Sequence, residues 1–368
     1  MTGPRVLAVN PGAGSTKLAL YAGTERVREE SLGSREPGAQ SRARIWDELP
    51  LRVAAVRDFL SRAAVSPGTL AAVAARGGLL RPLPAGVYAV DEAMLKDLEE
   101  AARGQHAANL GAPIAEAIAA EHGCKALVVD PVSVDEMEPV ARVTGLPGVE
   151  RTALSHALNM RAVARRHAAV LKKPLSELGL VVAHLGTGIS LSAWRGGRMV
   201  DVVNPLDEGP FAGDRAGGLP STALVSLCFA RGAEEGAVRR RLFGDGGFFA
   251  HLGTRDVREV LSRADAGDAR AALLVEGMCY QTAKAVGGLA AALAGRVDWV
   301  LLTGGLSHLE PVVAKVSARL SWIAPVRAYP GEDECRALAE GALRVLSGEE
   351  RTLCYAAEAG DPSPGTAG

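Results

Sequence analysis

The sequence predicts an α/β fold built from two related halves. Strand-like and helix-like segments alternate along the chain, a strand, glycine turn and strand pattern occurs twice at one spacing, and 368 residues exceed what one hydrophobic core holds. Single cores stop growing near roughly 250–300 residues, so two domains of comparable size are expected.

The first strand is the apolar run at residues 6–9. It meets Asn10, then Gly12, Gly14, Ser15 and Thr16, before alternation resumes through Leu18 and Leu20. The same layout returns at residues 181–183, followed by His184, Gly186, Gly188 and Ser190, then residues 191–194. Asn10 and His184, Gly12 and Gly186, Gly14 and Gly188, and Thr16 and Ser190 are each 174 positions apart, which points to an internal duplication. Two further apolar strands end in polar or glycine residues, at 126–129 before Asp130 and at 297–302 before Thr303, Gly304 and Gly305. Helix-like stretches rich in Ala, Leu, Glu and Arg lie at 91–102, 112–121, 154–169 and 271–294. This alternation predicts largely parallel sheets, with ligands at the carboxyl ends of the strands in a cleft between the domains. The expected division is residues 1–150, joined by the last helix at about 336–355, and residues 151–335. Residues 356–368, rich in Gly and Pro with no apolar period, are expected to form a disordered tail.

Composition narrows the function. With 48% hydrophobic and 23% charged residues, most of the chain should be folded. A net charge of −1 gives no field that would gather nucleic acid or an acidic membrane, so neither is expected as a partner and any anion must be held by a local cluster. Cys124, Cys228, Cys279, Cys335 and Cys354 are odd in number and scattered, without the two-residue spacing of zinc or redox sites, and read as free thiols in a reducing compartment. The opening MTGPRVLAVN runs into a strand without a signal-peptide pattern, and no 18-residue apolar span occurs, so a cytoplasmic location is expected.

Glycines after a strand let backbone N–H groups approach a phosphate, Ser15 and Thr16 add hydroxyls, and Lys17 adds a point charge. PGAGSTK lacks the G-x-x-x-x-G-K-[ST] spacing, and neither it nor LGTGIS carries the third glycine of a dinucleotide fingerprint. Each turn leads into a second strand instead of a helix, which is the hairpin style of phosphate loop.

Further motifs make the pattern specific: RGGLLRPLPAGVY, GQHAANLGAPIAEAIA, VVDPVSVDEMEPVARVTG, ALNMRAVARR, VAHLGTG, DEGPFAGDRAGGLP, LLTGG and IAPVRAYPGEDECRALAEGALRVL. With VNPGAGSTK they resemble the acetate and butyrate kinase family, and within it the butyrate branch, in order over about residues 6–349. The loops depart from that branch's usual NPGSTSTK and LGGGIS, with Ala13, Gly14 and Thr187 in place, all small enough for the loops to close. The resemblance implies two duplicated actin-like, ribonuclease H-like domains of the acetate and sugar kinase and actin superfamily. It implies ATP/ADP and Mg²⁺ as co-substrates and reversible in-line phosphorylation of butanoate or a related short or branched-chain fatty acid. A homodimer or higher homo-oligomer is implied as well. An acetate or propionate kinase is the nearest alternative, and a non-metabolic actin-like ATP-binding protein a remoter one.

A carboxylate and a triphosphate repel each other, so the site must neutralise charge and stabilise the transferring phosphoryl oxygens, work suited to arginine. By resemblance, Arg76 in AARGGLL meets the substrate carboxylate, and Arg215 in GDRAGGLP serves the carboxylate and the transition state. His184 is placed beside the γ-phosphoryl group. His156 in LSHALN, and His106 and Asn109 in GQHAANLG, match positions near the site, His106 being equally suited to helix capping or packing. Magnesium needs few oxygen ligands beyond its waters. Asp130, Glu334, Glu332 and Asn10 are the candidates, with Asp333 close enough to compete, and the acidic group also suits the positive end of the last helix. Gly304 and Gly305 offer close backbone approach to adenosine or the α-phosphate, and Asn10, Gly12, Gly14, Ser15, Thr16, Lys17, Gly186, Thr187 and Gly188 form the phosphate loops. Asp91, Glu92, Glu99 and Glu100 read as a solvated helix face.

Overall fold

The protein is described by a computed structural model covering residues 3–33 and 44–360. Two compact units emerge: one combines the chain up to Asp135 with the chain from Asp333 onward, and the other is the continuous segment Glu136–Glu332. The first unit contains β1 (Arg5–Pro11), β2 (Ser15–Ala22), β3 (Glu25–Gly33), β4 (Ala72–Arg76), β5 (Val87–Ala89) and β6 (Lys125–Val129). The second contains β7 (Leu180–Leu185), β8 (Ile189–Arg195), β9 (Arg198–Val203), β10 (Trp299–Gly304) and β11 (Val326–Pro330), and β12 (Thr352–Cys354) belongs to the first again.

In the first unit the sheet order is β12-β5-β6-β4-β1-β2-β3. Successive side chains on a strand point to opposite faces. Leu7, Val9, Leu18, Leu20, Val73 and Ala75 accordingly share one face and pack on Val56, Phe59 and Leu60 of helix Leu49–Arg62 and on Ile114, Ala115 and Ile118 of helix Gly111–His122. Neighbouring Val128 and Val129 divide the same way. Val128 joins a cluster with Ala112 of helix Gly111–His122, whereas Val129 lies under Gly341 of helix Glu334–Leu346. The unit is a sheet between two helical layers, and each fully buried Val or Leu stabilises it by about 1.5–3 kcal/mol.

The second unit has the order β11-β10-β7-β8-β9. Val181, Ala183, Leu185, Val300 and Leu302 bury one face against helix Ala269–Ala292, which Asp268 caps by accepting from Ala271 N at 3.0 Å. Helix Ala157–Leu171 packs on β7 and β10.

The sheets are not largely parallel. Pairings β1/β4, β4/β6, β5/β12, β7/β10 and β10/β11 are parallel, but β1/β2, β2/β3, β5/β6, β7/β8 and β8/β9 are antiparallel. The glycine turns are tight hairpins, too short for the crossover that parallel neighbours need. Each unit nonetheless repeats one arrangement, a hairpin whose first strand has a parallel neighbour on its other side, which is what the 174-residue offset encodes.

The chain changes unit at Asp135/Glu136 and again at Glu332/Asp333. Glu136 and Glu138 are already fastened to β9 of the second unit, because Met199 N donates to Glu136 Oε2 at 2.9 Å and Glu138 N donates to Val200 O at 2.9 Å.

Two surface expectations need correction. Asp91 is a cap and not merely a solvated charge, since it accepts from Met94 N at 2.8 Å and from Ala356 N at 3.1 Å. Order also continues beyond residue 356, in helix Tyr355–Glu358. Tyr355 is fully buried, its hydroxyl donates to Asp97 Oδ2 at 2.6 Å, and burial pushes its phenol up to about 12. The remainder of the expected tail, residues 361–368, lies outside the described residues. All five cysteines are free thiols, and burial raises Cys279 to about 11 and Cys335 to about 12, far from nucleophilic thiolates. No helix among the described residues is long and apolar enough to cross a membrane.

Candidate active site

In the first unit, Asn10, Arg76 and Asp130 stand at or just past the carboxyl ends of β1, β4 and β6. Asn10 and Arg76 meet on one carboxylate: Asn10 Nδ2 donates to Glu334 Oε2 at 2.6 Å and Arg76 Nη1 donates to the same oxygen at 3.2 Å. The carboxylate side chain is only 10% exposed and the arginine 18%, so the pair sits in a partly desolvated environment. Helix Gly111–His122 begins against this strand end, and a Cβ at Gly111 would lie 2.0 Å from Arg76 O. Glycine is what allows the approach.

The acidic group at 332–334 divides by role. Asp333 is the N-cap of helix Glu334–Leu346, accepting from Arg336 N at 3.2 Å, and it also accepts from Arg26 Nη2 at 2.8 Å. Glu334 turns toward Asn10 and Arg76 instead. Asn10 Oδ1 is buried and has no hydrogen-bond partner. A buried amide oxygen beside a carboxylate is the hard oxygen donor set that magnesium takes while keeping several waters. Among the described residues no cluster of three acidic, His or Cys side chains forms a closed metal cage.

The turn between β1 and β2 closes by Gly12 N donating to Ser15 O at 2.7 Å. Ala13, Gly14 and Lys17 are exposed, Gly12 and Ser15 half-buried, and Lys17 lies opposite Asn10 in the register and so on the same face. Thr16 differs from expectation. It is buried, and its hydroxyl accepts from Arg52 Nη1 at 2.9 Å on the protein side of the turn, not the open side.

Arg52 is a residue that sequence reasoning missed. Its side chain is 1% exposed, pairs with Glu48 at 2.7 Å, and donates to Gly12 O at 3.1 Å, bracing the loop from behind. The signal was available: Arg52, Val56 and Phe59 recur at helical spacing on a buried stripe, where an arginine has no place unless it is paired. Replacing Arg52 by alanine is expected to cost about 3–5 kcal/mol, because it breaks a buried ion pair together with the bonds to Thr16 and Gly12 O. Urea unfolding of Arg52→Ala checks this, and an unchanged midpoint would show the network to be dispensable.

Asp130 takes a left-handed backbone, φ 39°, and accepts from Gly86 N at 2.9 Å, fastening the loop before β5 to the end of β6. His106 caps the short helix Ala107–Leu110 by accepting from Ala108 N at 3.1 Å, the capping alternative. Asn109 is fully buried and braces the chain after Arg76, accepting from Leu79 N at 2.9 Å and donating to Gly104 O at 3.0 Å.

In the second unit, His184 stands next to last in β7 and stacks on His156, with ring centroids 3.7 Å apart and planes 7° from parallel. His156 Nδ1 lies 2.8 Å from Ser190 Oγ on β8. The β7–β8 loop folds over this pair, so that a Cβ at Gly186 would come 2.9 Å from His184 Nε2, and Thr187 at the tip is exposed. Arg215 joins them, its Cγ 3.9 Å from the position a Cβ would take at Gly188. Its Nε is 3.3 Å from Asp214 Oδ1 without the alignment of a hydrogen bond, an approach of opposite charges by distance alone. Glu332 Oε2 is 3.6 Å from His184 Nε2. Gly304, at φ +87°, ends β10 so close to β7 that a Cβ would lie 2.5 Å from Leu185 O, and Gly305 opens the short helix Gly305–His308. Asn159 and Thr303, also missed from sequence, lie beneath His184: Asn159 Nδ2 is 2.8 Å from His184 Nδ1 and 3.2 Å from Thr303 Oγ1. Asn159 follows His156 by three positions on the buried face of this helix, which was the available clue.

The profile described as "Acetokinase family" matches residues 148–321. A probable butyrate kinase of Coprothermobacter proteolyticus is 44% identical over 355 residues, spanning 96% of this chain and 100% of that one. Probable butyrate kinase 2 of Caldanaerobacter subterraneus subsp. tengcongensis is 41% identical over 351 residues, or 95% and 99% of the two chains. Among solved structures, Porphyromonas gingivalis acetate kinase superposes with a TM-score of 0.78 at 20% identity, covering 94% of this chain and 100% of that one. A propionate kinase from Francisella tularensis subsp. tularensis gives 0.76 at 17% identity, covering 92% and 98%. These structural likenesses set the class: the duplicated actin-like fold that carries acetate and propionate kinases. At 40–44% identity along nearly its whole length, the chain belongs to the acetokinase family.

Proposed function

We propose that this chain transfers the γ-phosphoryl group of ATP to butanoate, or to a related short or branched-chain fatty acid, giving ADP and the acyl phosphate reversibly. The observation that carries the chemistry is the gathering of His184, His156 and Arg215 around the β7–β8 phosphate loop. Near full-length identity to proteins named probable butyrate kinases supports the substrate.

In this reading a carboxylate oxygen attacks phosphorus in line while the bond to ADP breaks, and ADP keeps the electron pair. No proton need move. Arg76 is assigned to the substrate carboxylate, and Arg215 and His184 to the equatorial oxygens, where preorganised donors are worth most. The two hairpin loops are assigned to the phosphates, and Gly304 and Gly305 to the nucleoside end. Asn10 and Glu334 would hold Mg²⁺, which when bound neutralises phosphate charge. Glu332 is assigned near the same chemistry through its contact with His184.

We also place the protein in the cytoplasm, as its five free thiols suggest, and read it as a homodimer or larger. Helix Ser221–Cys228, none of whose residues is buried, is followed by Phe229 at 85% exposure, which supports self-association.

Trapping the product as a hydroxamate, with ATP, Mg²⁺ and acetate, propionate, butanoate or isobutyrate in turn, tests class and substrate together. The highest kcat/KM is expected for butanoate or isobutyrate. A maximum at acetate would overturn the substrate, and no hydroxamate from any acid would overturn the class.

A further inference from the structure

We propose that Asn159 and Thr303 are positioning residues that hold the proton of neutral His184 on Nε2. The inference rests on the reading that His184 donates to the transferring phosphoryl group.

The order of protons is fixed from a group that can only accept. Thr303 Oγ1 donates to the carbonyl of Gly331 at 3.0 Å. Having spent its single proton there, the hydroxyl presents a lone pair to Asn159 Nδ2 at 3.2 Å, and this sets which way the amide faces. The second N–H of the same nitrogen then meets His184 Nδ1 at 2.8 Å. That ring nitrogen must accept, so a neutral imidazole carries its proton on Nε2.

The surroundings keep this order. Asn159, His184 and Thr303 are 4%, 1% and 0% exposed, so solvent does not compete for the chain of donors. The parallel stack with His156 holds the ring against rotation. Nε2 is the nitrogen beside Gly186 in the phosphate loop. Among the described residues, His156 stacks on the ring, Glu332 Oε2 approaches Nε2 at 3.6 Å, and Arg215 lies against Gly188 of the same loop. The opposite tautomer would turn a lone pair toward developing negative charge.

The test uses the full chain with ¹⁵N-labelled histidine at about pH 8.5, where an ordinary imidazole is neutral. The His184 signals, assigned by their loss in His184→Gln, are expected to show a protonated Nε2 and a bare Nδ1. A carboxylate can only accept, so Asn159→Asp should draw the proton to Nδ1 and lower kcat by about 10²–10⁴-fold, the scale of a wrong tautomer. KM for ATP and for the acid should stay within about threefold, which separates donor loss from general disruption. Thr303→Ser should keep the wild-type tautomer and rate, whereas Thr303→Val should lose both. A wild-type signal showing Nδ1–H overturns the proposal, as does an Asn159→Asp protein with unchanged tautomer and kcat. Should Asn159→Asp fail to fold, the wild-type spectrum and the Thr303 pair decide alone. If wild type phosphorylates no acid, the functional reading fails while the spectrum still decides the proton's position.

Discussion

Replacing Arg215 by alanine should lower acyl phosphate formation by about 10³-fold or more while leaving ATP affinity nearly unchanged. The size follows from the role. A guanidinium that meets charge developing on the phosphoryl group acts mainly in the transition state, and removing such an arginine costs about 10³–10⁵ in turnover. The structure also limits what else the substitution disturbs. Arg215 is about a third exposed, and its approach to Asp214 is poorly aligned, so the pair is worth about 0–1 kcal/mol at most. A fall in kcat without a fall in melting temperature is therefore the expected signature, and wild-type turnover would remove Arg215 from the site. Arg76→Ala should reduce turnover by a comparable factor but with a stability penalty, because it leaves Glu334 without its cation.

Glu334→Gln should be nearly as damaging, for a different reason. The substitution keeps the shape and removes the charge. In the proposed arrangement the carboxylate belongs to the magnesium site, and even outer partners of a metal ligand are worth about 10–100-fold in affinity. Activity should fall by at least that factor, with the Mg²⁺ concentration needed for half-maximal rate rising in parallel. Titrating Mg²⁺ into the ADP complex gives a readout that does not need turnover. If both Mg²⁺ curves coincide with wild type, Glu334 is an ion-pair partner of Arg76 and nothing more.

Much of this architecture could be read from the letters, and the failures have physical causes. The duplication at 174 residues was legible because a glycine turn after an apolar strand leaves a local trace, and both traces became hairpins. Strand direction was less so, since an apolar run looks alike whichever way its neighbour runs. Arg76 and Glu334 were legible one at a time, but their contact across 258 positions was not. Thr16 illustrates the limit best. Its position beside a phosphate-type turn suggested a ligand donor, yet strand alternation sends its hydroxyl to the inner side, where Arg52 takes it. Asn159 and Thr303 were not assigned to the site because the partner that gives each its role, His184 for Asn159 and Asn159 for Thr303, lies on another element.

The discontinuity of the first unit has a consequence for how the protein is made. Glu136–Glu332 is continuous and can collapse as soon as it leaves the ribosome. The sheet begun by Arg5–Pro11 must wait for the helix from Glu334 and for β12, a delay of roughly ten to forty seconds at ordinary rates of synthesis. Until then, Arg76 and Asn10 have no carboxylate to hold them. A released chain ending at Glu332 should therefore carry a protease-sensitive amino-terminal half beside a resistant later segment. Competence for catalysis is acquired only when the last stretch of polypeptide arrives.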